Sequence, residues 1–472
     1  LRGSPQGECE VIKAGVIISR KPPTEVGFEF ELTEPGSVLA GDYVEVPLEL
    51  GTLVARVTRV MVENSYLSTP GLVREHVRFG LKLPSLASLE SCEVHVARAE
   101  SVGIVGVDGR LMPPCAPPPP GSPVYRASAE ALSRVLGFSS EGIRIGRVWR
   151  LGVEAVLDPD KLFRHHVAVL GSTGSGKSYT CGVLAEEALE MGLPVIILDF
   201  HGEYTTLGER YRARVVRVDE VGLEPGFVSP DAIAEATEMS DIQRDLLFLA
   251  AEEAAGPTLA DLEEAVPRIA ERYGFRRETL IAVLRRLKTL RAMGVFTGKG
   301  ELPTVSEGEC LIIDVGVGMP APVTRGMAGS VVWWLFEERR GGSIPPFLLI
   351  IDEAHKLLPV EEASFCRTAV RMVAREGRKF GACLVVASQR VVGLDKDVLS
   401  QCGTKFVLRM DSPTDLAMLR PLLGRHTKLL PYLPTGVALV TGVAVQHPTL
   451  IEVRRRKTRH GGEPATLALK RA

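Results

Sequence analysis

Gly171-Ser172-Thr173-Gly174-Ser175-Gly176-Lys177-Ser178 satisfies G-x-x-x-x-G-K-[ST] at every constrained position. An apolar run, Val167 to Leu170, precedes it, and a stretch of good helix formers, Leu184 to Leu189, follows. Glycines let the backbone wrap phosphates, while the loop N–H groups and the helix N-terminus supply positive potential. In such a loop Lys177 reaches the β- and γ-phosphates and the Ser178 hydroxyl sits on Mg2+. Gly171 to Ser178, with Tyr179 after them, therefore form the candidate ATP-binding set, and strand–loop–helix becomes the first unit of an α/β fold.

Outward from this loop, further apolar runs read as strands buried on both faces: Pro194 to Asp199, Cys310 to Val315, Phe347 to Asp352, Cys383 to Ser388 and Lys405 to Met410. Strands alternating with longer helical segments predict a parallel sheet. The alternation breaks at 230–293, where helical periodicity (Leu280, Val283, Leu284, Leu287, Leu290) predicts an inserted helical subdomain. Upstream, short β-rich stretches between Gly and Pro turns predict a small N-terminal barrel or sandwich over 1–111. Four consecutive prolines, Pro117 to Pro120, mark 112–141 as a stiff linker. The core then covers 142–229 and 294–450, and 451–472 is a basic tail built on Arg454-Arg455-Arg456-Lys457.

Chemistry collects at the strand ends. Phe347 to Ile351 runs into Asp352-Glu353. Successive strand residues face opposite ways, so Asp352 suits the metal shell and Glu353 the base that polarises water against the γ-phosphate. A kinase has no need of that second acid, so the pair favours hydrolysis. Gln389, in Ser388-Gln389-Arg390, suits a γ-phosphate sensor. Asp199-Phe200-His201-Gly202-Glu203-Tyr204 sits at the same edge, where Glu203 is equally a network member or a turn residue. Arg367, Arg371, Arg375 and Arg378 share one helical face. Arg367 and Arg371 read as a solvated face. Gly377 reads as the helix end, leaving Arg378 (Arg375 next) to reach a neighbouring subunit's γ-phosphate.

Bulk properties exclude little. A formal net charge of −2 neither supports nor excludes nucleic acid, because a ring can confine positive charge to its channel. The eight cysteines include no CxxC pair, which argues against zinc and a disulfide framework. No apolar run approaches the roughly 20 residues of a membrane span and no secretory signal is visible, so a cytoplasmic protein without membrane contact is expected.

The ordered motifs Gly-Ser-Thr-Gly-Ser-Gly-Lys-Ser, Asp-Phe-His-Gly-Glu-Tyr, Ile-Asp-Glu-Ala-His, Arg-Glu-Gly-Arg-Lys and Ser-Gln-Arg resemble those of HerA, the archaeal DNA translocases of the FtsK/HerA superfamily. The resemblance spans nearly the whole chain. It implies a RecA-like P-loop ATPase core, a homohexameric ring around double-stranded DNA, and a NurA-type nuclease partner in end resection. It also implies a C-terminal brace, and gives Lys177 the phosphate, Asp352 and Glu353 the metal and water, Gln389 the sensor and Arg378 the trans finger. One departure is Arg164-His165-His166, where the family commonly has Arg-His directly before the first core strand. Lys396 and the basic tail are candidate DNA contacts. The competing readings are a peripheral protein-secretion or conjugation motor and a non-motor P-loop nucleotide-binding protein.

Overall fold

Short alternating strands build the first of two units into which the chain divides, Leu1–Ser139 with Val148–Ala155, and Ser140–Arg147 with Val156–Ala472. The computed structural model describes residues 12–64, 78, 93–223, 229–254, 258–298, 301–360 and 364–461. In the first unit the strands are β1 (Lys13–Ile18), β2 (Gly27–Leu32), β3 (Tyr43–Leu48), β4 (Gly51–Asn64), β5 (Glu93–Gly106), β6 (Leu111–Met112) and β7 (Pro123–Arg126). They run in the order β2-β1-β7-β3-β4-β5-β6, and pairing of β2 with β5 closes six of them into the expected barrel. Period-two alternation sends Val44, Val46, Leu53, Ala55 and Val57 inward onto Phe28 and Phe30. Val54, on the opposite face, packs instead on Leu132 and Val135 of the helix Ala129–Leu136. Gly51 (φ 136°) is required where β4 starts, because a Cβ there would lie 2.1 Å from the Val105 carbonyl.

The stretch 112–141 is not a linker. Pro123–Arg126 is inserted between β1 and β3 and completes the barrel, and Ala129–Leu136 covers it. The reading failed because a proline missing its N–H is tolerated as the first residue of a strand. The prolines before it are tied in through Ile17, whose amide donates to Ser122 O at 3.0 Å and whose carbonyl accepts from Gly121 N at 2.9 Å.

The second unit holds β8 (Ile143–Val148), β9 (Glu154–Leu157), β10 (Val167–Leu170), β11 (Val195–Asp199), β12 (Arg212–Arg217), β13 (Glu309–Asp314), β14 (Phe347–Ile351), β15 (Ala382–Ser388), β16 (Thr404–Val407), β17 (Val437–Gly442) and β18 (Thr449–Val453). Their order is β12-β13-β11-β14-β15-β10-β16-β17-β18-β8-β9. From β12 to β16 every neighbouring pair is parallel, and β17 and β18 follow antiparallel. The six strands expected from apolar runs are all present. β12 was not among them, since an edge strand reading Arg-Ala-Arg-Val-Val-Arg keeps one side wet and carries no continuous apolar signal.

Helices Asp241–Glu253, Leu259–Tyr273 and Arg277–Met293 form the inserted subdomain between β12 and β13, burying Leu246, Leu262, Val266, Val283 and Leu287. The helix Pro230–Ala236, expected to open that insertion, packs on the core helix Ala321–Gly341 instead. Gly326 has no room for a Cβ against the Ala232 carbonyl (2.7 Å), Glu235 pairs with Arg325 at 3.1 Å, and it accepts from Phe365 N at 2.7 Å. Among the described residues no helix is long and apolar enough to cross a membrane. Cys181, Cys310, Cys366, Cys383 and Cys402 are free and buried, as small apolar residues are; Cys9 and Cys92 lie outside the described residues.

Candidate active site

Parallel register brings the carboxyl ends of four strands side by side: Leu170 lies opposite Ser388, and Leu198 opposite Ile351. The phosphate loop leaves β10 at this edge. Gly174 (φ 70°) and Gly176 (φ 106°) are left-handed, conformations that glycine adopts without a Cβ penalty. Ser175 Oγ donates to Ser172 O at 2.7 Å and Lys177 Nζ to the same carbonyl at 3.3 Å, which closes the loop. Helices elsewhere in the chain are capped by Ser128, Asp158, Ser364 or Asp395. The helix Lys177–Glu190 has Gly176 at its N-cap, no side-chain cap and no acidic residue in its first turn. Its first N–H groups and positive dipole end are thereby left for an anion. Lys177 is buried, which lowers its ammonium pKa, while the charges of Glu353 and Asp352 act to raise it.

Asp352 is 1% exposed. Its Oδ1 accepts from Glu353 N at 2.9 Å and its Oδ2 from the Tyr204 hydroxyl at 3.0 Å. Burial pushes its pKa up to about 6, so a cation beside it would relieve an unfavourable site. Tyr204 reaches it because Asp199 Oδ1 accepts from His201 N and Gly202 N (3.0 Å each) and its Oδ2 from Tyr204 N (3.2 Å), folding that turn back on the strand end.

Glu353 leaves the strand in a left-handed conformation (φ 45°, ψ 44°), costly for a residue with a Cβ and a mark of sites where geometry is over-determined. Its Oε1 accepts from Gln389 Nε2, while its Oε2 is buried without a hydrogen bond among the described residues. That oxygen lies 3.4 Å from His355 Nδ1, whose ring burial keeps it toward the neutral form. Gln389 Oε1 in turn accepts from Thr173 Oγ1 at 2.5 Å. One amide thus links the phosphate loop to the candidate base.

Lys177, Ser178, Asp352, Glu353 and Gln389 lie around this loop. Tyr204, His355 and the Thr173 contact escaped notice. In Asp-Phe-His-Gly-Glu-Tyr, Glu203 is a half-buried residue whose charge acts on Lys177 and Asp352. A tyrosine closing a strand-end turn was the signal available.

Three expectations are corrected. Gly377 does not end its helix: Phe365–Phe380 continues to the left-handed Gly381, and Gly377 is needed because a Cβ would lie 2.4 Å from the Ala382 carbonyl. Arg378 therefore sits in the last helical turn. Arg367 and Arg371 are not a solvated face either. Arg367 donates to Pro359 O (2.6 Å), Arg371 pairs with Asp395 (2.7 Å) and Arg375 with Asp397 (3.2 Å), whereas exposed Arg378 has no such partner among the described residues. Lastly, the basic tail or brace expected from 451 begins later, because Thr449–Val453 is strand β18, and residues 454–461 lie along the helix Lys177–Glu190 of their own chain. There Tyr179 OH accepts from Arg456 N at 2.7 Å, turning that side chain toward the C-terminal segment. Residues 462–472 lie outside the described ones. Arg164 is exposed and pairs with Asp160 at 2.9 Å, and Lys396 is an exposed first residue of the helix Lys396–Gln401.

A parallel sheet with a left-handed glycine loop at its carboxyl edge, and acids on the two adjoining strand ends, defines a RecA-like P-loop ATPase with an N-terminal barrel and a helical insertion. The family model for the central domain of helicase HerA matches residues 143–310. The DNA double-strand break repair helicase HerA of Pyrococcus furiosus is 27% identical over 519 aligned positions, covering 94% of this chain and 93% of that one. Among solved structures, VirB4 of Thermoanaerobacter pseudethanolicus aligns with TM-score 0.55 at 17% identity, covering 68% of this chain and 98% of that one. The plasmid coupling protein TrwB, in complex with ADP and Mg2+, aligns with TM-score 0.51 at 17% identity, over 69% and 92%. At such identity these two likenesses concern the fold. The chain is thus similar to HerA helicases along most of its length, and to their central domain over residues 143–310.

Proposed function

We propose that this ATPase is a motor that translocates or unwinds double-stranded DNA as a homohexameric ring, working beside a NurA-type nuclease in end resection and recombinational repair. Support for DNA as the track comes from the HerA matches, and support for the ring from Arg378. Three arginines of its helix are tied to their own chain and this one has no such partner among the described residues, at the helix end expected to meet a neighbour. An arginine supplied in trans neutralises charge developing on the transferred phosphoryl group.

Ser178 and Asp352 are the residues that would hold Mg2+, which would offset the negative charge of the bound phosphates. Among the described residues no cluster of three His, Cys, Asp or Glu forms a metal cage, as suits an ion that takes its remaining ligands from phosphate and water. Lys177 binds the phosphates. Glu353, whose free Oε2 carries this reading, takes the proton of the attacking water. Gln389 holds Glu353 and Thr173 together until a γ-phosphate competes for its amide, which makes it the sensor.

ATP hydrolysis measured with and without duplex DNA, beside Glu353→Gln and with solution mass recorded, tests the reading. Turnover that rises with DNA, resides in a large oligomer and falls about a thousandfold in the variant is expected. Hydrolysis surviving in Glu353→Gln removes its role as base. A monomeric mass removes the ring, and indifference to DNA shifts the track from nucleic acid to protein.

A further inference from the structure

The helix behind the phosphate loop carries an unusual stripe. Tyr179, Gly182, Glu186 and Glu190 recur at helical spacing, and residues 454–461 lie along them. Glu186 is fully buried and accepts from Lys457 N and Thr458 N at 3.0 Å, from Thr458 Oγ1 at 2.9 Å and from Arg454 at 2.9 Å. A Cβ at Gly182 would lie 2.7 Å from the Arg456 guanidinium, so the glycine lets that side chain lie against the helix. Further on, Thr206 Oγ1 donates to Arg459 O at 2.7 Å, and Gly461 lies against the Glu203 carbonyl. The segment is a strap from the phosphate-loop helix to the turn that positions Asp352.

The strap ends beside the loop with two half-exposed rings. The Tyr179 and His460 ring centroids are 5.6 Å apart at 64°, an edge-to-face pair. Tyr179 immediately follows Ser178, and the bond to Arg456 N fixes its hydroxyl. On the nucleotide reading above, the γ-phosphate points at Glu353 and Gln389, on the Thr173 side. The α-phosphate, with whatever it carries, then leaves past Ser178 and Tyr179. We propose that Tyr179 and His460 form the wall against which the nucleoside of the bound triphosphate stacks, and that the strap is a working part of the nucleotide site. A planar heteroaromatic base suits two rings held in place by Arg456: Tyr179 OH accepts from Arg456 N, and His460 Nδ1 lies 3.5 Å from the Arg456 guanidinium.

Calorimetric titration of the full chain with Mg·ATP and with Mg·tripolyphosphate, which has no nucleoside, tests this. His460→Ala should bind ATP about tenfold more weakly, the value of one lost base–ring stack, with tripolyphosphate unchanged. Tyr179→Leu should do the same. ATP affinity unchanged in both variants overturns the proposal. So does an equal weakening of ATP and tripolyphosphate, which would mean that the rings act through the loop. Lys177→Ala separates the two levels of argument. If it binds both ligands as the wild type does, the phosphate-loop reading has failed; if it loses both, the His460 result bears on the wall alone.

Discussion

Two arginine-rich segments of this chain look alike in sequence and differ in what their charges do. Within Arg454 to Arg459, Arg454 pairs with Glu186 and Glu187 and Lys457 with Glu187 and Glu190 on the phosphate-loop helix, Arg459 pairs with Glu209, and exposed Arg455 has no such partner among the described residues. The helix Phe365–Phe380 ties three of its four arginines, to loop carbonyls and to Asp395 and Asp397, and leaves Arg378 without such a partner among the described residues. A basic run is thus defined by where its acids are, and these lie far away along the chain. A charge without an internal partner is the one with a job elsewhere to offer.

The sharpest way to break that contrast is Arg378→Ala. If the free arginine serves a neighbour's γ-phosphate, turnover should fall on the order of a thousandfold, the usual worth of such a finger, with ATP affinity and oligomeric mass retained. Mixing this variant with Lys177→Ala subunits should restore part of the activity, because intact fingers then face intact loops. Turnover within a few-fold of wild type would make Arg378 an ordinary surface residue.

Glu186→Gln probes the consumed charges, and its effect falls on stability. The substitution sets an amide N–H2 among donors that need an acceptor, at a cost of about 3 kcal/mol. Burial alone would raise the Glu186 pKa, but the amides of Lys457 and Thr458, the Thr458 hydroxyl and Arg454 together hold it below its ordinary value of 4.5. A depressed folded pKa contributes stability that is complete above the unfolded value and lost as pH falls through the folded one. Urea midpoints of wild type and variant should therefore differ most above pH 4.5 and converge below it. A gap constant with pH would mean that Glu186 acts through shape rather than charge.

How far the molecule could be read in advance follows the same division. Lys177, Ser178, Asp352 and Glu353 were legible because their chemistry is written in contiguous residues whose spacing has one mechanical meaning. The parallel strands were legible because both faces are buried, which gives unbroken apolar runs such as Phe347 to Ile351. What could not be read is whatever depends on a distant partner. β12 shows only an edge pattern, and Pro123–Arg126 looks like a linker until β1 and β3 take it between them. Gly377 looks like a helix stop until the Ala382 carbonyl is seen to exclude a side chain. Tyr204 becomes informative only when Asp199 has folded its turn onto Asp352.

The mildest test is Arg371→Ala, about two turns from Arg378 on the same helix. Arg371 is 37% exposed and pairs with Asp395, which is 2% exposed. Asp395 does not depend on it alone, because its Oδ1 also accepts from Asp397 N at 3.0 Å and Val398 N at 3.1 Å, capping the helix Lys396–Gln401. Burial would raise the Asp395 pKa, yet Arg371 and the Val398 amide keep it lowered, and that capped carboxylate should stay charged without the arginine. A half-screened pair whose acid keeps other donors is worth about 1 kcal/mol. Arg371→Ala should therefore shift the urea midpoint slightly and leave turnover within about twofold of wild type, a bound set by the small size of that loss. If it cut turnover as deeply as Arg378→Ala, tied and free arginines would be doing the same work. The helix would then act as one rigid piece, and the absence of an internal partner would no longer distinguish Arg378.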